Sequence, residues 1–158
     1  MPAITPFLWF KDQAEEAAAF YASIFKDVKV GGETHLGDDV PGPKGKTMTV
    51  QVELEGQEFI FLNGGPVEGF EFSPATSFVV SCENQAEIDH LWGKLTDGGK
   101  ELQCGWVTDK FGVTWQIVPS ILSDLLNDPD PAKAKRVTQA MLKMVKLDIA
   151  TLQQARDE

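Results

Sequence analysis

The chain has 158 residues, 42% hydrophobic and 24% charged, enough for one domain or two small halves with a packed core and too apolar for a disordered chain. Its 14 Lys and Arg against 24 Asp and Glu leave a formal charge of −10, which disfavours nucleic acid and anionic membrane as partners, since both need basic surface. No apolar run approaches the roughly 18 residues of a membrane span. The start, Met1-Pro2-Ala3-Ile4, has no leader pattern, and two cysteines, Cys82 and Cys104, make no disulfide framework, so a reduced cytoplasmic protein is expected.

The N-terminal stretch TPFLWFKDQAEEAAAF (5–20) reads as a short strand followed by a helix. Asp12 stands three residues before Glu15, which predicts a capping box at the helix start. Ala14, Ala17, Ala18, Tyr21, Ile24 and Phe25 recur at helical spacing. Val28 to His35 predicts a strand, and the Gly/Pro-rich run from Gly37 to Lys46 a mobile loop. Thr47 to Leu54 and Gln57 to Asn63 predict a hairpin around Glu55-Gly56. A two-residue turn pairs Val52 with Phe59, Val50 with Phe61, Met48 with Asn63 and Glu53 with Glu58. Gly64-Gly65-Pro66 closes this half.

The next stretch, SFVVSCENQAEIDHLW (77–92), repeats the first at an offset of 72. Gln13-Ala14-Glu15 falls on Gln85-Ala86-Glu87, Phe20 on Trp92 and Thr5 on Ser77. Asn84 and Glu87 repeat the capping pattern, and Asp97-Gly98-Gly99 ends the helix. Glu101 to Gln103, Trp106 to Thr108 and Val113 to Val118 complete a second set of strands around the turn Asp109-Lys110-Phe111-Gly112. Each half reads βαβββ, which makes the chain an internal duplication. A short capped helix from Ser120 to Leu126 follows. Asp130-Pro131 then starts a longer helix, and Asp148 caps a last one from Ile149 to Ala155. Residues 131–158 carry a net charge of +3 and residues 1–130 carry −13. The tail is therefore expected to dock on the acidic body or on a second subunit, or else to form a solvated amphipathic helix. Val137, Met141, Met144 and Val145 supply its core or dimer-contact stripe.

The duplicated βαβββ pattern resembles the vicinal oxygen chelate superfamily of glyoxalase I, extradiol dioxygenases and bleomycin-resistance proteins. PFLWFKDQAEEAAAFYASIF (6–25), FIFLNGGP (59–66), CGWVTDKFGVTWQIVPS (104–120) and QAMLKMVKLDIATL (139–152) resemble its PhnB-like branch. The resemblance implies an α+β fold: two βαβββ modules whose curled mixed sheets surround a cleft, with helices outside and extra C-terminal helices. It divides one domain into module one (1–66), a linker (67–74), module two (75–119) and a helical extension (120–158). It also implies a homodimer.

Metal-using branches of the superfamily place a ligand, typically His or Glu, on the first and last strand of each module. By position those slots fall here on Thr5 and Ser77, and on Phe61 or Phe59 and Gln116. None is an imidazole or carboxylate, so a metal-free cleft without a cofactor is expected. His35 and His90 are expected to be ordinary surface or core residues. Strand parity predicts a lining of Thr5, Phe7, Trp9, Phe59, Phe61, Asn63, Ser77, Val79, Ser81, Thr114, Gln116 and Val118, with Glu53 and Glu58 facing away. Trp106 is placed at the cleft mouth or in simple packing.

An apolar, aromatic lining with a few neutral polar groups suits a mostly apolar, planar ligand. The alternative is that Ser77, Asn63 and Gln116 merely satisfy one another or buried water. Cys104 reads either as an exposed thiol or as a small buried hydrophobe, Cys82 as inert core, and Asp109 as a turn residue. The expected function is a metal-independent small-molecule binding protein. The competing reading is an enzyme of lyase, isomerase or transferase type acting on a carbonyl-bearing or aromatic metabolite, with Ser77, Gln116 or Cys104 polarising the substrate. The methyltransferase label attached to the family, linked to demethylubiquinone, lacks a Gly-rich strand–turn–helix here to hold S-adenosylmethionine.

Overall fold

A computed structural model of the protein describes residues 1–39 and 45–158. The expected mobile loop, Gly37 to Lys46, lies in part outside the described residues. The chain divides into two compact units, Met1–Glu71 and Phe72–Glu158. Each contains one four-stranded mixed sheet, giving the α+β two-module architecture.

In the first unit the order is β1 (Phe7–Phe10), α1 (Ala14–Ile24), β2 (Val28–His35), β3 (Thr47–Leu54) and β4 (Gln57–Asn63). The sheet runs β1-β4-β3-β2, with β1 parallel to β4 and the other pairs antiparallel. The hairpin register is the expected one, with Val52 opposite Phe59, Val50 opposite Phe61 and Glu53 opposite Glu58. Glu55 and Gly56 both have positive φ, 48° and 84°, as a type I′ turn requires. Glu55 bears that strain because its carboxylate accepts from the Lys26 and Asp27 backbone N–H groups at 2.8 and 3.2 Å.

The start of α1 departs from the expected capping box. Gln13 is the N-cap and its side chain makes no cap bond. The Ala14 N–H instead donates to Asn63 Oδ1 at 2.8 Å, while Asn63 Nδ2 donates to Glu15 Oε1 and to the Thr47 carbonyl. A residue 49 positions away therefore does the work expected of Asp12.

In the second unit the order is β5 (Ser77–Cys82), α2 (Gln85–Thr96), β6 (Lys100–Glu101), β7 (Trp106–Thr108) and β8 (Thr114–Pro119). The sheet order, β5-β8-β7-β6, repeats the first topology, with β5 parallel to β8. Asn84 Oδ1 accepts from Glu87 N–H at 3.0 Å, and Glu87 accepts from Glu83 N–H at 2.9 Å, a capping box displaced by one residue. Gly98, at φ +73°, ends the helix as expected. β6 covers Lys100–Glu101 rather than 101–103, because the chain turns at Cys104 and Gly105, both at positive φ.

The turn at Asp109 is built from inside. Asp109 is buried, and its Oδ1 accepts from the Phe111 and Val113 N–H groups at 2.9 and 3.1 Å. Its Oδ2 accepts from the Trp115 indole at 2.9 Å. It is a turn residue, as expected, and also a buried anchor for β8.

The extension forms α3 (Leu122–Leu126), α4 (Pro131–Leu142) and α5 (Ile149–Asp157). α3 lacks the expected side-chain cap, whereas Asp130 caps α4 and Asp148 caps α5. These helices close a small core of Leu125, Val137, Leu147 and Leu152, onto which Val118, Met141 and Met144 pack. The extension docks on its own module. Gln85 donates to the Leu147 carbonyl at 3.1 Å and accepts from Ile149 N–H at 2.9 Å, and Lys146 pairs with Asp89 at 2.8 Å. The Cys104 and Gly105 N–H groups donate to the Met144 and Val145 carbonyls at 2.9 and 2.7 Å. Among the described residues no helix is long and apolar enough to cross a membrane.

The Asp148 cap gives a test in acid. The Thr151 backbone N–H, and then its hydroxyl, donate to Asp148 and hold its carboxyl below the usual value. A carboxyl with a depressed folded pKa contributes stability that is present above its unfolded value and lost as pH falls through the folded one. Asp148→Ala is expected to cost about 1 kcal/mol at neutral pH and much less in strong acid. Urea midpoints of both proteins at the two pH values check this, and an unchanged gap in acid would disprove the capping account.

Candidate functional site

In module one, Leu8 and Phe10 are buried under α1, on the face of β1 opposite Phe7 and Trp9 of the expected lining. Phe59 and Phe61 are also buried there, against the parity expectation. The Phe61 ring lies 5.1 Å from Phe10 and 5.7 Å from Tyr21 of α1. α1 presents Ala14, Ala17 and Ala18 to the sheet, so the large side chains filling this layer come from the strands. Phe7 pairs with Ile60, and Trp9 with Leu62. The opposite face therefore carries Phe7, Trp9, Ile60 and Leu62, with Thr49 and Gln51 beside them. Glu53 and Glu58 share that face rather than turning from it, and Glu53 binds Lys29 at 2.8 Å.

Thr5 lies half-buried ahead of β1 rather than on it. Asn63, expected in the lining, spends its amide on the start of α1. Trp9 is half-buried; its indole donates to the Gly65 carbonyl at 2.9 Å and its ring meets Phe70 edge-on at 4.9 Å. Gly64 is required there, since a Cβ would come within 2.1 Å of the Trp9 ring. Phe7 remains 55% exposed.

Module two keeps the expected parity. Phe78 and Trp115 pack together at 5.5 Å, and Trp115, Ile117 and Val107 are buried on the α2 side. The other face carries Ser77, Val79 and Ser81 from β5, Thr114 and Gln116 from β8, and Trp106 and Thr108 from β7. Val118, also of this face, packs on the extension. Gln116 Nε2 donates to Ser77 Oγ at 2.9 Å. Thr114, opposite Ser77 in the register, is 1% exposed, and its hydroxyl has no hydrogen-bond partner among the described residues. Trp106 lies half-buried opposite Gln116. Ser77, Thr114 and Gln116 are thus on one face, as strand parity predicts, and the β7–β8 register adds Trp106 to it. The pairing of Ser77 with Gln116 is also the mutual satisfaction set out as the alternative.

The remaining candidates are dispersed. Cys104, half-buried at φ +58°, belongs to the turn held by the extension. The Lys110 ammonium lies over the Phe111 ring at 5.4 Å. Cys82 is buried. His35 is exposed and sits 3.6 Å from Glu33, and His90 is exposed on α2.

The repeat and the registers together correct the last-strand slot of module one. Val79 pairs with Gln116 and Phe7 with Ile60, so the counterpart of Gln116 is Ile60, not Phe59 or Phe61. A metal at such slots needs imidazole or carboxylate donors, and Thr5, Ile60, Ser77 and Gln116 do not fit one. Among the described residues no group of three or more His, Cys, Asp or Glu side chains is placed to hold a metal ion.

Residues 2–118 match the sequence profile of the family described as 3-demethylubiquinone-9 3-methyltransferase. Residues 119–158 lie outside that match. A PhnB protein from Bacillus cereus is 34% identical, with a TM-score of 0.67 over 74% of this chain and 99% of that one. A protein from Pseudomonas aeruginosa, 22% identical, shares the fold with a TM-score of 0.62 over 75% of this chain and 98% of that one. The fosfomycin resistance protein FosX of Listeria monocytogenes, solved with Mn(II) and sulfate, shares it at 12% identity and a TM-score of 0.54, over 79% and 94%. No curated protein matches the chain.

Proposed function

The chain belongs to this PhnB-like family of the vicinal oxygen chelate superfamily, and on that premise we propose that it is a metal-independent small-molecule binding protein. The observation that carries the reading is the Ser77–Gln116 hydrogen bond on the face of module two turned from α2. It stands at the first- and last-strand positions where metal-using relatives would need charged or imidazole donors. Two neutral groups there orient a ligand by hydrogen bonding rather than by a Lewis acid. Trp106 and Val79 supply apolar surface beside them. Phe7, Trp9, Ile60 and Leu62 give module one an apolar, aromatic face of its own.

The family's methyltransferase description is not adopted for this chain. Gly31 and Gly32 lie inside β2, and Gly64-Gly65 runs into Pro66 and a stretch with no helix before β5. Neither forms the strand–turn–helix that would cradle S-adenosylmethionine.

Native mass spectrometry of the purified protein, with metal analysis of the same sample, tests the proposal. The expected result is a dimer carrying a co-purified organic mass that is lost in Gln116→Ala. One tightly held divalent ion per chain would overturn the metal-independent reading.

A further inference from the structure

The binding reading leaves the ligand's chemistry open, and the hydrogen-bond inventory of module two narrows it. We propose that this face takes a flat, uncharged ligand whose carbonyl oxygen is flanked by an N–H or O–H donor, as in an aromatic lactam, and that it rejects carboxylates and phosphates. The inference rests on the reading above and specifies its ligand class.

Gln116 Nε2 donates to Ser77 Oγ. That bond fixes the polarity of the pair. One of the two Ser77 lone pairs is occupied; its own proton is left to donate, and Gln116 Oε1 is left to accept. A donor and an acceptor side by side match a carbonyl next to an N–H or O–H. The Thr114 hydroxyl lies opposite Ser77 in the register but is buried, so Ser77 and Gln116 supply the polar contacts of this face. Trp106, paired with Gln116 on the next strand, offers a flat surface beside them.

Charge excludes anions. Ser77, Thr114 and Gln116 carry none, and Lys100 lies at the far edge of the sheet, two strands from β8. An anion desolvated here would lose hydration without a paired charge to replace it. The surplus of acidic residues in 1–130 opposes it further.

Isothermal titration of the full-length protein with three bicyclic probes tests the proposal. They are 2-quinolinone, 2-methoxyquinoline, which loses the N–H and the carbonyl, and quinoline-2-carboxylate, which adds the charge. The lactam is expected to bind about tenfold more tightly than either of the others. Ser77→Ala should erase that advantage. Gln116→Glu should erase it too, because a carboxylate only accepts and would take the Ser77 proton. Unchanged urea midpoints show that both variants are folded.

Equal binding of all three probes, or a lactam preference that survives Ser77→Ala, overturns the ligand class while leaving small-molecule binding intact. Preference for the carboxylate overturns it as well. Absence of binding by every probe up to about 1 mM also overturns the class. The broader reading then stands or falls separately, on the co-purified mass and its loss in Gln116→Ala.

Discussion

Asp109→Ala is expected to destabilise the protein by about 3–5 kcal/mol. The carboxylate receives two backbone N–H groups of the turn into β8 and the Trp115 indole of β8 itself. Alanine would leave those donors buried without acceptors, and each such loss costs about 1–3 kcal/mol before relaxation. Asp109→Asn should be milder, since a carbonyl can still serve Phe111 and Val113 while its NH2 meets the indole N–H. Urea unfolding followed by tryptophan fluorescence gives both values. A loss under about 1 kcal/mol for the alanine variant would mean that the turn holds β8 without its carboxylate. Since β8 also carries Thr114 and Gln116, ligand binding should weaken along with stability.

Phe61→Ala is expected to cost about 3–5 kcal/mol, the range for removing a buried aromatic ring. Phe61 is fully buried and sits among Phe10, Tyr21 and Phe59. Ile60→Ala, next in sequence but on the other face and half-buried, should cost about 1–2 kcal/mol. Comparing the two urea midpoints decides which face of β4 is core. A Phe61→Ala variant of unchanged stability that lost ligand binding would restore the first parity reading.

That parity error has a physical source. β4 reads Phe59-Ile60-Phe61-Leu62, apolar on both faces, so alternation does not say which face the helix covers. In β8 the alternation is Thr114-Trp115-Gln116-Ile117, polar against apolar, and the assignment holds. Asn63 shows a different limit. A polar residue ending an apolar strand reads as a site residue, yet its amide is consumed at a helix start 49 residues earlier in the chain.

Local chemistry determined a great deal of this protein from sequence alone. The duplication, the Glu55-Gly56 hairpin and its register, and the caps at Asn84, Asp130 and Asp148 follow from contacts close in sequence or from the repeat itself, and the polar–apolar alternation of β8 puts Gln116 on the face away from α2. Only the tertiary structure decided which side of β4 is core, what starts α1, and where the extension docks. Those outcomes depend on the parallel register of β1 on β4 and on pairings such as Gln85 with Leu147 and Ile149. They join segments far apart in the chain, and neither periodicity nor spacing carries the relative placement of such segments.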